Sequence, residues 1–140
     1  MITLKKSLFV LAMSCASLIA NAEVAVIVNS SNANATMSNS DISRIFLGKS
    51  SKFPDGSAAS AIDQNDGNAA RQEFNDKVLG KSESQLKSYW SRLIFTGKGT
   101  PPKQLGDDAA VKSAVAADAN AIGFIDSASV DGSVKVVGKF

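Results

Sequence analysis

Hydrophobic and polar positions along the chain switch repeatedly between a strand-like and a helix-like period. Val24-Ala-Val-Ile-Val28 is an unbroken, β-branched apolar run. It predicts a strand buried on both faces, as in a parallel sheet. It passes into the polar loop Asn29–Asn32. Ser38-Asn-Ser-Asp41 has the spacing of a capped helix start, and Ile42, Ile45 and Phe46 form the apolar face behind it. Gly48 suits the helix end, and Phe53-Pro-Asp-Gly56 suits a turn. Ala58–Ile62 predicts a second strand. After a polar turn comes a helix with Ala70, Phe74 and Val78 on one face, stopped by Gly80. Ser82-Glu-Ser-Gln85 is a capping box, followed at helical spacing by Leu86, Tyr89, Trp90, Leu93 and Ile94. The aromatic pair reads as core. Thr96–Pro102 is loop, and Asp107 or Asp108 caps a helix carrying Val111, Ala114 and Val115. Ala121–Ile125 is a buried strand, Ser127–Val130 a short turn or helix, and Val134–Val137 the last strand. Strands alternating with helices predict one α/β domain, with a mostly parallel sheet flanked by helices.

The first 22 residues fall outside that pattern. Lys5 and Lys6 precede a short apolar run, and Ala20-Asn21-Ala22 has the form of a cleavage signal. This reads as a secretory signal peptide over 1–22, leaving 23–140 as the domain and placing it in the periplasm. The apolar run is shorter than the ~20 residues that span a bilayer. Cys15, the sole cysteine, lies in the leader behind Ala12-Met13-Ser14, a poor lipoprotein signal. The domain therefore has no thiol, and the chain has no histidine. That removes the usual zinc and copper ligands, along with Ser-His-Asp and Cys-His catalysis. The two leader lysines account for the formal charge of +2, so the domain is neutral. A neutral surface argues against nucleic acid as a partner. No cofactor and no enzyme activity are expected.

Chemistry concentrates where the second strand hands over to its helix, at Gln64-Asn-Asp-Gly-Asn68 and Ala69-Ala70-Arg71. The first N–H groups of a helix lack intrahelical partners and carry the positive end of the dipole, so an anion can satisfy both. A cation in the first turn is disfavoured there. Arg71 is therefore either paired with a carboxylate such as Asp63 or Asp66, or free to meet something negative. Capping by Asn68 and Asp66 would explain the same residue types without a ligand. In a parallel sheet, Asn29 and Ser30 would share the edge of this corner, with Thr96–Thr100, including Gly97, as a further wall.

Four stretches together resemble the substrate-binding proteins of phosphate ABC transporters. They are Ala25–Asn29; Asp41-Ile-Ser-Arg-Ile-Phe-Leu-Gly-Lys49 with Phe53–Gly56; Gln64–Phe74; and Asn120-Ala-Ile-Gly-Phe-Ile125. Short members of that family look like they share three further motifs, here Arg71–Phe74, Tyr89–Pro102 and Ile122–Asp126. The resemblance implies a single lobe of the type II periplasmic-binding-protein fold. It also makes the Gln64–Arg71 corner the counterpart of the family's phosphate loop. Asp66 and Gly67 match that loop. Gln64 stands where the family has its clamping arginine, and Asn68-Ala69-Ala70 where it has Ser-Gly-Thr.

The expected function is binding of a small oxyanion, phosphate first. Gln64, Asp66, Gly67, Asn68, Ala69, Ala70 and Arg71 would form the site, and Asn29, Ser30, Thr96 and Gly97 its walls. The alternative is an exported interaction module without ligand, docking on a membrane permease or sensor or forming a homodimer.

Overall fold

The opening apolar run is a strand, β1 (Val24–Asn29), with every residue buried. The computed structural model describes residues 23–140, so the signal peptide read over 1–22 lies outside the described residues. Helix α1 (Asn39–Phe46) starts at Ser38, whose hydroxyl accepts from Asp41 N–H at 3.1 Å. Then come β2 (Ser60–Gln64) and α2 (Ala69–Phe74), whose last turn widens to π geometry over Asn75–Leu79. Gly80 ends that turn at φ 62°, in the left-handed region that favours glycine. Helix α3 (Glu83–Phe95) begins with the expected reciprocal capping box of Ser82 and Gln85. The remaining elements are β3 (Lys103–Leu105), α4 (Asp108–Ala117) capped by Asp107, β4 (Ala121–Asp126), a 3₁₀ turn at Ser127–Ser129, and β5 (Val134–Lys139).

Among the described residues the strands form one sheet in the order β3-β2-β4-β1-β5. β2 runs parallel to β3 and β4, while β1 is antiparallel to both β4 and β5. Four strands thus share one direction and β1 opposes them. Burial on both faces made β1 look parallel to its neighbours. Its place between two covered strands explains the burial without that direction.

The pleat divides the core. Val24, Val26 and Val28 of β1 join Ile122 and Phe124 of β4 beneath α1, α2 and the π turn. Ala25, Ile27 and Ile125 face α4 through Val111 and Val115. Phe46, Phe74 and Phe124 meet at the centre of the first layer. Phe74 stacks on Phe124 with centroids 4.1 Å apart, and Phe46 meets Phe74 edge-on at 4.7 Å. The edge-on pair suits the ring quadrupoles. In the second layer α4 rides directly over Gly123: a Cβ there would come within 2.6 Å of Val111. The Tyr89–Trp90 pair departs from the core expectation. Both are half-buried, with the Tyr89 hydroxyl donating to Leu47 O at 2.6 Å.

Candidate functional site

The carboxyl ends of β2, β3 and β4 lie at one edge of the sheet. Two helices start from that edge, α2 after β2 and α4 after β3. Between their first turns is an open groove of about 430 Å³, lined by Gln64, Asn68–Ala70, Gly106–Ala109, Asp126 and Ser129. Its position is the usual one for a ligand in an α/β sheet.

The turn into α2 is built on Gly67, at φ +87°, a conformation few side chains adopt. Asn68 occupies the cap position, yet its side chain makes no cap hydrogen bond. Its amide donates instead to Gly106 O at 2.8 Å and Gln64 Oε1 at 3.3 Å, tying the start of α2 to the β3–α4 turn. The first N–H groups of α2 thus keep no side-chain cap, and Ala69 and Ala70 border the groove. α4 is capped in the ordinary way, Asp107 accepting from Ala110 N–H at 2.8 Å.

Gln64 is fully buried, and its Nε2 donates to Asp108 Oδ1 at 2.7 Å and Phe124 O at 2.9 Å. Asp108 Oδ2 accepts from Asp126 N–H and from the Ser129 hydroxyl, each at 3.2 Å. The lining holds three carboxylates, Asp107, Asp108 and Asp126, and no cation.

Arg71 lies behind the groove, 5 % exposed. Nε and Nη2 form a fork on Glu83 at 2.5 and 3.1 Å. Nη1 reaches Asp63 at 2.9 Å and donates to Gln64 O at 2.9 Å, while Nη2 is 3.4 Å from Asp66. Its donors are committed to three carboxylates and a carbonyl, which corrects the expectation that Arg71 would supply charge to an anion. Burial pulls its pKa down, but the Glu83 hydrogen bond and the neighbouring carboxylates hold it above the ordinary value. Glu83 is held below its usual range, first by that hydrogen bond. Asp63 goes the other way: burial pushes it up to about 6 against the pull of Arg71. Asn75 adds a donor to Glu83 at 2.7 Å, and its own Oδ1 is buried without a partner among the described residues.

The expected walls lie elsewhere. Because β1 opposes β2, its carboxyl end falls at the far edge of the sheet: Val28 pairs with Ile122, next to Ala61. Asn29 there donates to Val115 O and Ala116 O, both at 3.0 Å, and secures the end of α4. Ser30 is exposed in the following turn. Thr96 closes α3 by bonding Arg92 O at 2.9 Å, and Gly97 turns the chain at φ 69°. Gly97 borders a separate cleft with Ile94 and Lys98–Pro101. The structure therefore brings together Gln64, Asn68, Ala69 and Ala70, with Asp66 and Gly67 in the adjoining turn. It separates these from Asn29, Ser30, Thr96 and Gly97. Sequence reasoning missed Gly106–Ala109, Asp126 and Ser129 as lining, and Glu83 as the main partner of Arg71. The adjacent acids Asp107 and Asp108 were read only as alternative caps.

No protein-family model and no curated protein matches the chain. Solved structures do match its fold. A structure described as a phosphate ABC transporter substrate-binding protein from Clostridium perfringens, with bound phosphate, aligns with 83 % of this chain at TM-score 0.66 and 22 % identity. An ABC-type phosphate transport receptor from Vibrio cholerae aligns at TM-score 0.65 and 17 % identity. PstS from Borrelia burgdorferi aligns with 84 % of the chain at TM-score 0.61 and 10 % identity. The chain spans 45 %, 46 % and 47 % of those proteins respectively, less than half of each.

Proposed function

We propose that the chain is an exported solute-binding lobe without catalytic activity. Its ligand is a small oxyanion that carries a hydrogen, phosphate first, seated in the groove between the starts of α2 and α4. The observation that carries this reading is the missing side-chain cap on α2, whose first residues border the groove. Uncapped N–H groups at the positive end of a helix are suited to an oxyanion. The fold likeness to phosphate-binding proteins supports the same class of ligand. The carboxylates of the lining narrow it further. Asp107 and Asp126 only accept hydrogen bonds when ionised, so a ligand touching them must donate. Phosphate near neutral pH has an O–H; sulfate has none.

Calorimetric titration tests this reading. Heat with phosphate and none with sulfate is the expected pair of results, and no heat with either would sink it. Asn68→Asp locates the site. A carboxylate at the cap would take the free N–H groups of α2 and repel an anion, so phosphate affinity should fall at least tenfold, about 1.4 kcal/mol or more, in a folded protein. Unchanged affinity would place the ligand elsewhere.

A second reading is favoured by one observation: Phe95 is 93 % exposed and Ile94 55 % exposed at the end of α3. On this reading the chain is an interaction module that docks through that end, on a second copy or on a membrane permease or sensor.

A further inference from the structure

We propose that the carboxyl end of α3 is a membrane-docking surface: Phe95 enters the headgroup layer of an anionic phospholipid bilayer, and the cations around it meet the lipid phosphates. This does not depend on the groove holding an anion. Phe95 is 93 % exposed and Ile94 beside it 55 % exposed, so two apolar side chains stand in water at one helix end. The charge around them has one sign. No Asp or Glu occurs between Glu83 and Asp107, or between Asp41 and Asp55. Glu83 itself is taken by Arg71. In those two stretches Arg92, Lys98, Lys103, Lys49 and Lys52 are exposed, and none forms an ion pair among the described residues. Arg92 comes three residues before Phe95 and Lys98 three after it.

The fold sets the second stretch against the first. The Tyr89 hydroxyl bonds Leu47 O at 2.6 Å, and a Cβ on Gly48 would come within 3.1 Å of the Trp90 ring. Ser50 and Ser51 border one depression together with Trp90 and Lys103. The acids gather elsewhere, with Asp107, Asp108 and Asp126 in the groove lining. A formally neutral domain is thus polarised, and its basic side carries its exposed apolar tip. Charge complementarity calls for an acidic surface. The shape of the patch selects lipid over protein. A protein partner must match shape across about 800 Å² on each side. A bilayer needs no matching shape: a projecting ring enters the interface, and mobile headgroups come to scattered cations. Each Lys or Arg near such a surface contributes about fivefold in affinity, and salt screens that share. Neither part suffices alone, since one ring inserts weakly and bare charge only adsorbs.

Vesicle sedimentation of the exported chain tests this. The probes are vesicles of phosphatidylcholine alone, and of one part phosphatidylglycerol to two parts phosphatidylcholine, at about 0.05 M and about 0.5 M salt. At low salt the wild type should bind the phosphatidylglycerol vesicles at least tenfold tighter than the neutral ones, and high salt should release it. Phe95→Ser and the double variant Arg92→Glu/Lys98→Glu should each bind at least tenfold more weakly while melting with the wild type, because all three side chains are exposed. Phe95→Trp should keep the affinity, and its emission should shift to the blue on phosphatidylglycerol vesicles by more than that of the wild type, whose sole indole is Trp90. No binding by the wild type, equal binding to both vesicle types, or wild-type binding by either weakened variant would overturn the proposal. So would a Phe95→Trp protein that pellets without the added blue shift, since the ring would then stay outside the bilayer. A wild type that ignores vesicles but gains mass with concentration would also overturn it and assign the surface to a second copy.

Discussion

At the scale of single residues, the corner turns on one guanidinium shared among three carboxylates. The buried Arg71 makes a part-buried fork on Glu83, whose side chain is 33 % exposed, and Asp63 is 14 % exposed beside them. Removing the cation would strand these acids, and breaking a buried pair from one side typically costs about 3–5 kcal/mol. Arg71→Ala should lose that much in denaturant unfolding. A loss under about 1 kcal/mol would class the bridge with ordinary surface pairs. Asp63 then gives a pH dependence of definite sign. Its folded pKa is about 6 against an ordinary value of 3.8, so between these values the native state binds more protons than the unfolded one. Its contribution to stability therefore falls as pH rises from about 4 to 6, by about 2–3 kcal/mol in all. Glu83, with a lowered pKa, works in the opposite sense and loses its contribution only as pH falls below its unfolded value of 4.5. Asp63→Asn should lack the fall between pH 4 and 6. Parallel stability curves for variant and wild type would refute this. Part of the arrangement was legible in sequence, since a cation in a helix's first turn needs a carboxylate. Which carboxylate was not: Asp63 and Asp66 are near in sequence, whereas Glu83 reaches Arg71 only after the π turn and Gly80 reverse the chain.

At the scale of elements, capping and periodicity explain what could be read. Ser38, Ser82 and Asp107 announced three helix starts, because each side chain satisfies a specific N–H within its own turn. Strand β3 gave no such signal: Lys103-Gln-Leu is a short, mainly polar edge strand held by pairing with β2. The direction of β1 was also hidden, because an apolar run reports burial and carries no orientation. That one strand moved Asn29 and Ser30 to the far edge. Helix α4 shows how packing carries through to the site. Gly123 lets Val111 and Val115 lie against β4, and that seating brings Asp108, three residues before Val111, within reach of Gln64. Gly123→Ala would force a methyl to within 2.6 Å of Val111. Overpacking of this kind costs about 1–3 kcal/mol. The expected result is a drop in melting temperature together with a changed anion response at the groove. A variant as stable as wild type would mean that α4 shifts freely over the sheet.

At the scale of the whole molecule, the question is what the chain leaves uncovered. The solved structures that share its fold are more than twice as long as the part this chain matches. A groove open to solvent leaves a bound anion hydrated on one side, which weakens each hydrogen bond. Among the described residues helix α3 is the least covered of the α-helices: of its thirteen residues only Leu86 is buried. Phe95 and Ile94 project from its end beside the Gly97–Pro101 cleft. Two side chains fall short of the ~800 Å² per partner of a stable interface, so docking there must also use the cleft and the half-buried Trp90. Phe95 makes so little contact within the domain that Phe95→Ser should change folding stability by no more than about 0.5 kcal/mol. Its effect should appear in association instead. If a second copy covers the end of α3, light scattering of the wild type will show a mass that rises with concentration, and Phe95→Ser will stay monomeric over the same range. Identical masses at every concentration would remove self-association through α3 and leave the groove to act in a single lobe.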